Sequence, residues 1–577
     1  MPADLRSGAR ESATETFGMG FNSSVLRRAS WRSGVLCGLL VVVVVLACNP
    51  AGETGYQDDW TFARTAAIFA QTGHFVYNGW AAPTLGWFIL WAAPFIKIFG
   101  FSYLVVRLSL LPIVFATILL FHQILLRFGF TERHASFGVL TLGLSPIFLP
   151  VASGFMTDVP SLLVTFICLL ICQIAVEQKQ DRSVVMWLAF AALTNLVGGT
   201  VRQTAFLGIL LMIPAVGWWQ RRRRGVLPST AIITAIGCVC IFLFFKWYLT
   251  QPYSYPESIP PLSSLWPVLK DRLWQVFAAS RFVLVAISPV IACNIHTILR
   301  LPRRPFWGIY ACFSVFVLLT CSEWDRSQLG IALKHFGISV PVAFMSALIA
   351  FALLFLVLRR RSAQQYTLRA AGPPLYRSQS WSAIFWLLGP FSLGYFVLLL
   401  MPTDGSLWVW DRYFLGLIPI AIVCLLKVSQ DRARGIPKVA IVALVLLGFA
   451  GFAKASRLHS VRRAVLKAAN MLRAADVPRT EIEAGLEYDG DTQLDAVGHV
   501  NNPDMTAPPG VYRPYVPPQW LPPGFDSLSV TPAVVPRYFV VEKPLSDLAP
   551  SKFPPVEYIT VIPPFHRFIY IQQLPER

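Results

Sequence analysis

Long apolar stretches separated by short polar segments make up most of the chain before residue 453. A helix that crosses a bilayer needs about 20 mostly apolar residues, and thirteen stretches are close enough to that length to be predicted crossings. They are residues 34–48, 102–126, 135–151, 161–176, 184–199, 204–219, 226–249, 282–299, 306–321, 338–358, 381–401, 413–427 and 439–452. The pattern therefore predicts an all-α polytopic membrane protein with about thirteen transmembrane helices.

One further apolar stretch, residues 81–100, contains two prolines and a lysine and is rich in tryptophan. These features are typical of an interfacial helix. Basic clusters favour the cytoplasmic side of a membrane, and the five clusters of this chain share one side only if this stretch does not cross. We therefore predict a cytoplasmic N-terminal tail (residues 1–33) in a cell membrane. The C-terminal segment then lies on the far side, which is the periplasm in a bacterium.

The chain changes character after residue 452. Sixteen prolines fall between Pro503 and Pro564, too many for regular structure throughout. A basic amphipathic helix is predicted at 456–475. Short strands are predicted at 482–488, 538–542, 558–562 and 568–572. The domain prediction is thus a transmembrane domain, 34–452, followed by a small proline-rich α/β domain, 453–577, outside the cytoplasm.

Composition agrees with this picture and excludes other classes. Hydrophobic residues make up 55% of the chain and charged residues 14%, against about 25% charged residues in soluble domains. The net charge of +19 would suit a nucleic-acid binder, but residues 454–577 contain 13 basic and 13 acidic residues. The whole excess of basic over acidic residues therefore lies among the apolar stretches, where basic residues set the orientation of a membrane protein. We therefore predict no nucleic-acid partner.

The predicted outer loop, residues 49–101, carries two adjacent carboxylates, Asp58 and Asp59. Apolar residues at helical spacing follow, and a Thr-Gly pair at 72–73 stops the pattern, which predicts a short amphipathic helix. One interpretation is structural: one aspartate caps the helix and the other complements its dipole. The other is chemical, with a carboxylate acting at the membrane surface. Spacing alone does not decide between them.

A second run lies where the third predicted crossing ends and the fourth begins. Residues 156–160 read Met-Thr-Asp-Val-Pro. The structural interpretation is that Thr157 or Asp158 caps the helix, with the proline in its first turn. The alternative is that Asp158 belongs to a site on the outer face of the membrane.

A third run, residues 411–419, begins Asp-Arg-Tyr and ends in proline. It places Arg412 and Tyr413 at a predicted outer helix end, where positive charge is disfavoured. Arg412 could snorkel to the interface, or it could bind an anion. Arg202 and Lys246, also at predicted outer ends, raise the same question.

Together the three runs resemble the GT-C superfamily of membrane glycosyltransferases. The nearest branch is that of the protein O-mannosyltransferases and lipid A aminoarabinose transferases. The resemblance covers roughly residues 34–452 and is densest before Arg202. One departure is Asp59, where the family often has glutamate, and no family motif is visible after residue 452. Such enzymes transfer a sugar, with inversion, from a polyprenyl-phosphate carrier to an acceptor outside the cytoplasm.

The resemblance implies roles for the acids. Asp58, Asp59 and Asp158 are the catalytic candidates. Asp58 would be the base, because a hydroxyl acceptor must lose its proton to a carboxylate within hydrogen-bond reach. Asp59 would support the loop or the helix dipole, and Asp158 would orient the acceptor or a cation.

The resemblance also implies a group that binds the donor phosphate. Arg412 is the first candidate and Arg202 the second, because a guanidinium binds phosphate in a bidentate manner. Tyr413 and Lys246 complete the set. Some branches of the superfamily use a divalent cation and others do not. We expect no metal and no other cofactor here.

Other classes of function stay open at this point. A transporter or lipid flippase tends to place ionisable groups at the bilayer midplane, often in repeated halves. Here the acids gather at helix ends and no repeat is visible. A non-enzymatic assembly scaffold is a third option. The predicted partners are a polyprenyl-phosphate-linked sugar donor, an extracytoplasmic acceptor and membrane lipids. The sugar and the acceptor cannot be read from the sequence.

Overall fold

The computed structural model describes residues 31–80, 83–256, 262–295, 375–401, 409–432, 435–516, 521 and 525–575, most of them helical. The helices are α1 Trp31–Ala47, α2 Asp59–Thr72, α3 Gly86–Phe99, α4 Tyr103–Ser109, α5 Leu111–Arg127, α6 Glu132–Gly143, α7 Phe148–Ala152, α8 Asp158–Glu177, α9 Asp181–Gly199, α10 Ile213–Trp219, α11 Val226–Tyr248, α12 Leu262–Ala286, α13 Ser288–Ala292, α14 Leu375–Leu400, α15 Ile418–Arg432, α16 Lys438–Arg473 and α17 Leu486–Val497. The strands are β1 Ile482–Glu483, β2 Tyr538–Val541, β3 Ala549–Pro550, β4 Val556–Ile559 and β5 His566–Gln573.

Within the described residues, six helices are long and apolar enough to cross a membrane. They are Tyr103–Arg127, Asp158–Glu177, Asp181–Gly199, Val226–Tyr248, Trp381–Leu400 and Lys438–Arg473. Shorter apolar helices are Trp31–Ala47, Gly86–Phe99 and Gln203–Trp219. These helices confirm the prediction of a multi-pass, mainly helical membrane protein. The number thirteen stays a prediction, since crossings 306–321 and 338–358 and the end of 282–299 lie outside the described residues.

The predicted crossing 135–151 is interrupted and forms α6 and α7. The break falls at Pro146, which lacks a backbone N–H and disfavours helical geometry at Ser145 before it. Ser145 compensates in part, because its hydroxyl oxygen accepts a hydrogen bond from the Phe148 N–H at 3.1 Å. A single unbroken helix was therefore the wrong expectation here.

The predicted crossing 204–219 is a 3₁₀ turn, one π turn and α10 in succession. A neighbouring helix satisfies the displaced backbone groups. The Asn195 amide donates to the Ala205 carbonyl at 2.8 Å, and its oxygen accepts from the Ile209 N–H at 3.0 Å. Irregular backbone at membrane depth requires such a buried polar partner.

The predicted interfacial stretch, residues 81–100, contains α3. With 14 residues, α3 is about 21 Å long and too short to cross a hydrocarbon core of about 30 Å. Its start is joined to the turn after α9. A Cβ on Gly86 would lie 2.1 Å from the Thr200 hydroxyl, and the Thr84 hydroxyl donates to the Thr200 carbonyl at 2.6 Å. The first outer loop and Arg202, two residues beyond Thr200, are thereby held together.

The basic helix predicted at 456–475 is not a separate element. It is the second half of α16, which runs without a break over 36 residues, or about 54 Å. Its first half is apolar and exposed at Val445, Leu446 and Phe449. Its second half packs against the sheet of the C-terminal domain through Val461 and other apolar residues. One rigid helix thus joins the membrane domain to the C-terminal domain.

The C-terminal sheet has the order β1-β2-β5-β3, with β4 also paired to β5. β1 and β2 are parallel, whereas the β5 pairings are antiparallel. The strands predicted at 538–542 and 568–572 correspond to β2 and β5, whereas the strand predicted at 558–562 overlaps β4 only at 558–559 and is wrong beyond it. The strand predicted at 482–488 is wrong beyond Glu483, because Gly485 adopts φ +85° and the chain turns into α17.

The C-terminal domain rests on the first outer loop. A Cβ on Gly490, in α17, would lie 2.5 Å from the Trp60 ring, so only glycine allows this approach. Arg64 forms an ion pair with Asp495 at 2.9 Å. Together these contacts place α17 directly over the start of α2, beside Asp58.

Two buried acids at this junction make stability depend on pH. Burial raises the pKa of Glu483 from 4.5 to about 7, opposed by the Gly485 N–H and by Arg462. Burial and the negative charge of Glu483 raise the pKa of Asp489 as well. The folded chain therefore holds protons that the unfolded chain releases, and this stabilisation is lost as pH rises from about 4.5 through about 7.

We predict that Glu483→Gln raises the midpoint of thermal unfolding at pH 8 and changes it much less at pH 5. The expected gain at pH 8 is on the order of 1–3 kcal/mol, measured by tryptophan fluorescence in detergent. Glu481→Gln, at a half-buried position two residues away, is the matched control and should stay near wild type at both pH values. An equal effect of Glu483→Gln at pH 5 and pH 8 would contradict the prediction.

Candidate active site

Asp58 lies immediately before α2 but does not cap it. It occupies the N-cap position without a capping hydrogen bond from its side chain. Its carboxylate instead accepts the Trp80 indole N–H at 3.0 Å and a short hydrogen bond from the Arg412 guanidinium. Arg412 also donates to the Gln57 side chain at 3.3 Å. The capping interpretation of Asp58 is therefore wrong, since its carboxylate faces the Asp-Arg-Tyr turn.

Asp59 points the other way, into the protein, and is fully buried. One carboxylate oxygen accepts the Tyr56 N–H at 2.6 Å. The other accepts Arg107 Nε at 2.8 Å and the Phe155 N–H at 3.4 Å. These contacts are those of a residue that holds the loop, which is the role expected for Asp59 beside Asp58.

Arg107, on α4, completes this arrangement. Its two terminal nitrogens donate to the carbonyl oxygens of Pro50, Gly52 and Thr54 at 2.7–3.0 Å. A guanidinium that is 3% exposed needs such partners for its donors, and the backbone of the outer loop supplies three of them. The path of the chain into Asp58 is thus fixed by one buried arginine.

Asp158 forms a second carboxylate–guanidinium pair. Its Oδ1 accepts a hydrogen bond from Arg202 Nη1 at 2.9 Å, and the Thr157 hydroxyl accepts a weaker one from the same nitrogen at 3.3 Å. Its Oδ2 is buried and has no hydrogen-bond partner in the described part of the chain. Asp158 begins α8 and Arg202 precedes the 3₁₀ turn after α9, so helix ends position both groups.

Tyr413 brings the two pairs together. Its ring centroid lies 5.3 Å from the Arg202 guanidinium carbon and 5.7 Å from that of Arg412. The backbone of Tyr413 is held in turn, because the Tyr395 hydroxyl donates to its carbonyl at 2.9 Å. Five of the predicted site residues, Asp58, Asp158, Arg202, Arg412 and Tyr413, therefore form one cluster.

The cluster is largely withdrawn from solvent. The side chains of Arg412 and Arg202 are 15% and 17% exposed, and each is paired with an aspartate. A snorkelling arginine would keep its charged end in water, so that interpretation of Arg412 is wrong. Burial raises the pKa of Asp58, but the Arg412 guanidinium and the Trp80 indole lower it further, and the net pKa lies below its usual range.

Lys246 does not belong to the cluster. It lies near the end of α11 with an exposed side chain. His74, the histidine nearest the acidic pair in sequence, is exposed at the end of α2. No group of three or more histidine, cysteine, aspartate or glutamate side chains able to hold a metal occurs among the described residues. The expected absence of a metal stays a prediction.

Helix α16 contributes contacts that sequence reasoning missed. Lys454 forms an ion pair with Asp411 at 2.7 Å, beside Arg412. His459 stacks on the Tyr56 ring at 4.3 Å and hydrogen-bonds Ser153 at 2.9 Å. The available signal was the lack of any helix-breaking residue between the last apolar stretch and the basic segment, which makes one helix that reaches the site.

A narrow apolar cleft lies between the membrane helices next to the cluster. Its lining includes Phe166 on α8, Phe391 on α14 and Gly416, three residues after Tyr413. Its enclosed volume is about 20 Å³, little more than one water molecule requires. An apolar chain could enter this cleft only if the lining side chains moved apart.

Comparison with known proteins gives structural similarities only. No family model and no curated protein matches the chain. ArnT from Cupriavidus metallidurans bound to undecaprenyl phosphate is 16% identical, over 77% of this chain and 81% of that one, with a TM-score of 0.36. The oligosaccharyltransferase of Archaeoglobus fulgidus is 14% identical, over 86% and 61%, with a TM-score of 0.43. Arabinosyltransferase EmbB from Mycobacterium smegmatis is 14% identical, over 76% and 42%, with a TM-score of 0.33.

All three proteins are GT-C glycosyltransferases, the superfamily that the sequence motifs resemble. Similarities at these identities and TM-scores carry no information on the donor, the acceptor or the catalytic residues of this chain. A functional conclusion for this chain therefore rests on its own side-chain geometry.

The buried pair of Asp59 and Arg107 makes a prediction about folding. Asp59→Asn leaves a buried guanidinium without its counter-charge, which typically costs about 3–5 kcal/mol. We expect a sharp loss of monodisperse protein in size-exclusion chromatography and a lower unfolding midpoint. Glu177→Gln, in the partly exposed pair with Arg127, is the control and should cost at most about 1 kcal/mol. Wild-type stability of Asp59→Asn would show that the pair does not hold the loop.

Proposed function

We propose that this chain is an integral-membrane glycosyltransferase that moves a sugar from a polyprenyl-phosphate carrier to an extracytoplasmic acceptor hydroxyl, with inversion. The observation that carries the proposal is the cluster of two carboxylate–guanidinium pairs, Asp58–Arg412 and Asp158–Arg202, against the ring of Tyr413. It combines a candidate proton acceptor with two cations suited to a phosphate. Its location next to apolar helices suits a donor with a lipid tail.

The two arginines would bind the donor phosphate. A guanidinium presents paired N–H donors that match phosphate oxygens. Arg412 and Arg202 are mostly buried, and preorganised cations in a water-poor site stabilise developing negative charge best. The leaving phosphate gains that charge when its bond to the sugar breaks. Tyr413, in contact with both guanidiniums, would set their spacing.

Asp58 would act as the base, and donor binding would prepare it. In the structure Arg412 lowers the pKa of Asp58, which makes the carboxylate a weak proton acceptor. A phosphate that takes over Arg412 removes part of this lowering, so Asp58 becomes more basic once the donor is bound. The acceptor oxygen then attacks the anomeric carbon as Asp58 takes its proton. The sugar–phosphate bond breaks with its electron pair on the phosphate oxygen.

Asp158 would hold Arg202 in place and orient the acceptor. Its Oδ1 is occupied by Arg202, whereas its Oδ2 is buried without a hydrogen-bond partner among the described residues. A buried carboxylate oxygen without a partner is costly, and a hydroxyl of the bound sugar or acceptor would satisfy it.

The proposal places the site on the extracytoplasmic face of the cell membrane, with the N-terminus in the cytoplasm and residues 453–577 outside it. The supporting observation is the contact of α16 and α17 with the same outer loop that carries Asp58. Site and C-terminal domain therefore share one side, and the basic loops of the sequence favour the opposite side as cytoplasmic.

Arg412 variants test the phosphate step. Arg412→Ala should weaken binding of a short polyprenyl phosphate by about 2–5 kcal/mol, because a buried charged hydrogen-bond partner is lost. Arg412→Lys should recover part of the affinity, because it keeps the charge but loses the planar fork. Binding is measured by native mass spectrometry in detergent. The control is Arg64→Ala, which removes a surface pair with Asp495, and wild-type affinity of Arg412→Ala would contradict the proposed role.

Asp58 variants test the chemistry itself. Asp58→Asn should reduce transfer of radiolabelled sugar from polyprenyl-phosphate donors in membranes by about two to four orders of magnitude, because the base is lost. Asp59→Asn should reduce sugar transfer per folded molecule by less than Asp58→Asn does. Asp181→Asn is the control and should keep wild-type activity, since Asp181 pairs with Arg223 at 2.8 Å at the opposite end of α9 from Arg202.

The order of severity decides between assignments. An Asp59→Asn variant that is folded but inactive, together with an active Asp58→Asn variant, would move the base by one residue. Full activity of both variants would remove the main support for the transferase. Wild-type membranes that move the lipid carrier across the bilayer without transferring its sugar would favour the flippase.

A further inference from the structure

The C-terminal domain presents an exposed apolar hairpin. Its strands are β4 and β5, and its tip is residues 560–565. Ile559 is 67% exposed, Phe565 53% and Phe568 42%. The tip reads Thr-Val-Ile-Pro-Pro-Phe and contains no charged residue. A loop of this composition is poorly suited to contact with water alone.

The hairpin points back toward the membrane. β2 begins at Tyr538, which pairs with Ile482 just beyond the C-terminal end of α16. It runs to Val541, and the next residue, Glu542, contacts Arg457 of α16 at 3.6 Å. The strand therefore runs antiparallel to α16. β5 leads away from the tip, so the tip lies at the membrane end of the sheet.

Strand and helix geometry give the depth of the tip. The Arg457 side chain also hydrogen-bonds Tyr558, which pairs with Arg567, so the tip begins two residues beyond the level of Arg457, or about 7 Å of strand. The same distance along α16 is about five residues. Counted back from Arg457, this brings the start of the tip level with Phe452.

That level coincides with the end of the exposed apolar face of α16. Val445, Leu446 and Phe449 are 66%, 63% and 51% exposed, and the first charged residue after them is Lys454. We expect a helix face of this kind in a multi-pass membrane protein to contact lipid. The hairpin tip is thus beside the boundary between the lipid-facing and the polar parts of α16.

The tip is held in its exposed form by its own hydrogen bonds. The Thr560 N–H donates to the Phe565 carbonyl at 2.8 Å, and the Thr560 hydroxyl is within hydrogen-bond distance of the carbonyl oxygens of Ile562 and Pro564 at 2.8 and 2.9 Å. The Thr560 N–H and three carbonyl oxygens are thus satisfied inside the tip, which lowers the cost of moving them out of water. The Phe565 side chain takes no part in these hydrogen bonds.

We propose that the 560–565 tip inserts into the bilayer surface on the side of the C-terminal domain, next to α16. The occupant of its exposed apolar surface is lipid, at the headgroup–acyl boundary where aromatic side chains are favoured. The domain is then attached to the membrane at two places, α16 and the hairpin. This attachment does not depend on the proposed transferase activity.

The experiment places an environment-sensitive fluorophore on Phe565→Cys in a cysteine-free chain, reconstituted in single-copy lipid nanodiscs. Lipids that carry a quencher near the headgroup should quench the emission strongly, and the emission should be shifted to the blue relative to the unfolded chain. The matched control is Val535→Cys. Val535 is 62% exposed, but its N–H bonds the Thr480 carbonyl at the opposite end of the sheet, so lipid should not quench it.

A photo-crosslinking amino acid at position 565 of the otherwise native chain provides a second measurement if the cysteine-free chain does not fold. Crosslinks to phospholipid, found by mass spectrometry, support the proposal. Crosslinks to a second copy or to another segment of this chain overturn it. Equal quenching at 535 and 565, or quenching at neither, overturns it as well.

Discussion

The site depends on the burial of one arginine. Arg107 is 3% exposed and its partner Asp59 is fully buried, in a region where an unpaired charge would be very costly. The guanidinium donates four hydrogen bonds, one to Asp59 and three to loop carbonyls. An irregular loop is thereby given a single path. That path ends with Asp58 facing Arg412 and Asp59 facing Arg107, so adjacent, chemically identical side chains have different partners.

A second constraint comes from α16, which is continuous from the membrane into the C-terminal domain. Lys454 holds Asp411 beside Arg412, and His459 stacks on Tyr56, two residues before Asp58. The helix thus contacts Asp411, the residue before Arg412, and Tyr56, two residues before Asp58. A displacement of the C-terminal domain would be transmitted to the site through these side chains. The domain is therefore part of the structural support of the site and more than a cover over it.

Sequence reasoning predicted the parts of the structure that follow from local patterns. Apolar periodicity predicts the long helices, and the sidedness of the basic clusters predicts that Asp58, Asp158, Arg202 and Arg412 share one face of the membrane. It could not separate the roles of Asp58 and Asp59, because that depends on Arg107, about fifty residues away in sequence. Lys246, which was predicted to join the group that binds the donor phosphate, lies outside the cluster for a related reason. A helix end gives the approximate depth of a side chain but not which neighbour it meets.

The cluster also explains how a site for an anion can exist in a water-poor place before the anion arrives. Two guanidiniums near one tyrosine ring would repel each other strongly at low dielectric, and each is neutralised by its own aspartate. A phosphate that enters must compete with a carboxylate for Arg412, which reduces the binding energy. The same competition releases Asp58 from the cation that keeps its pKa low. In the proposed reaction, part of the binding energy of the donor is therefore converted into basicity of the residue that has to accept the proton, and the base becomes effective only when the donor phosphate is in place.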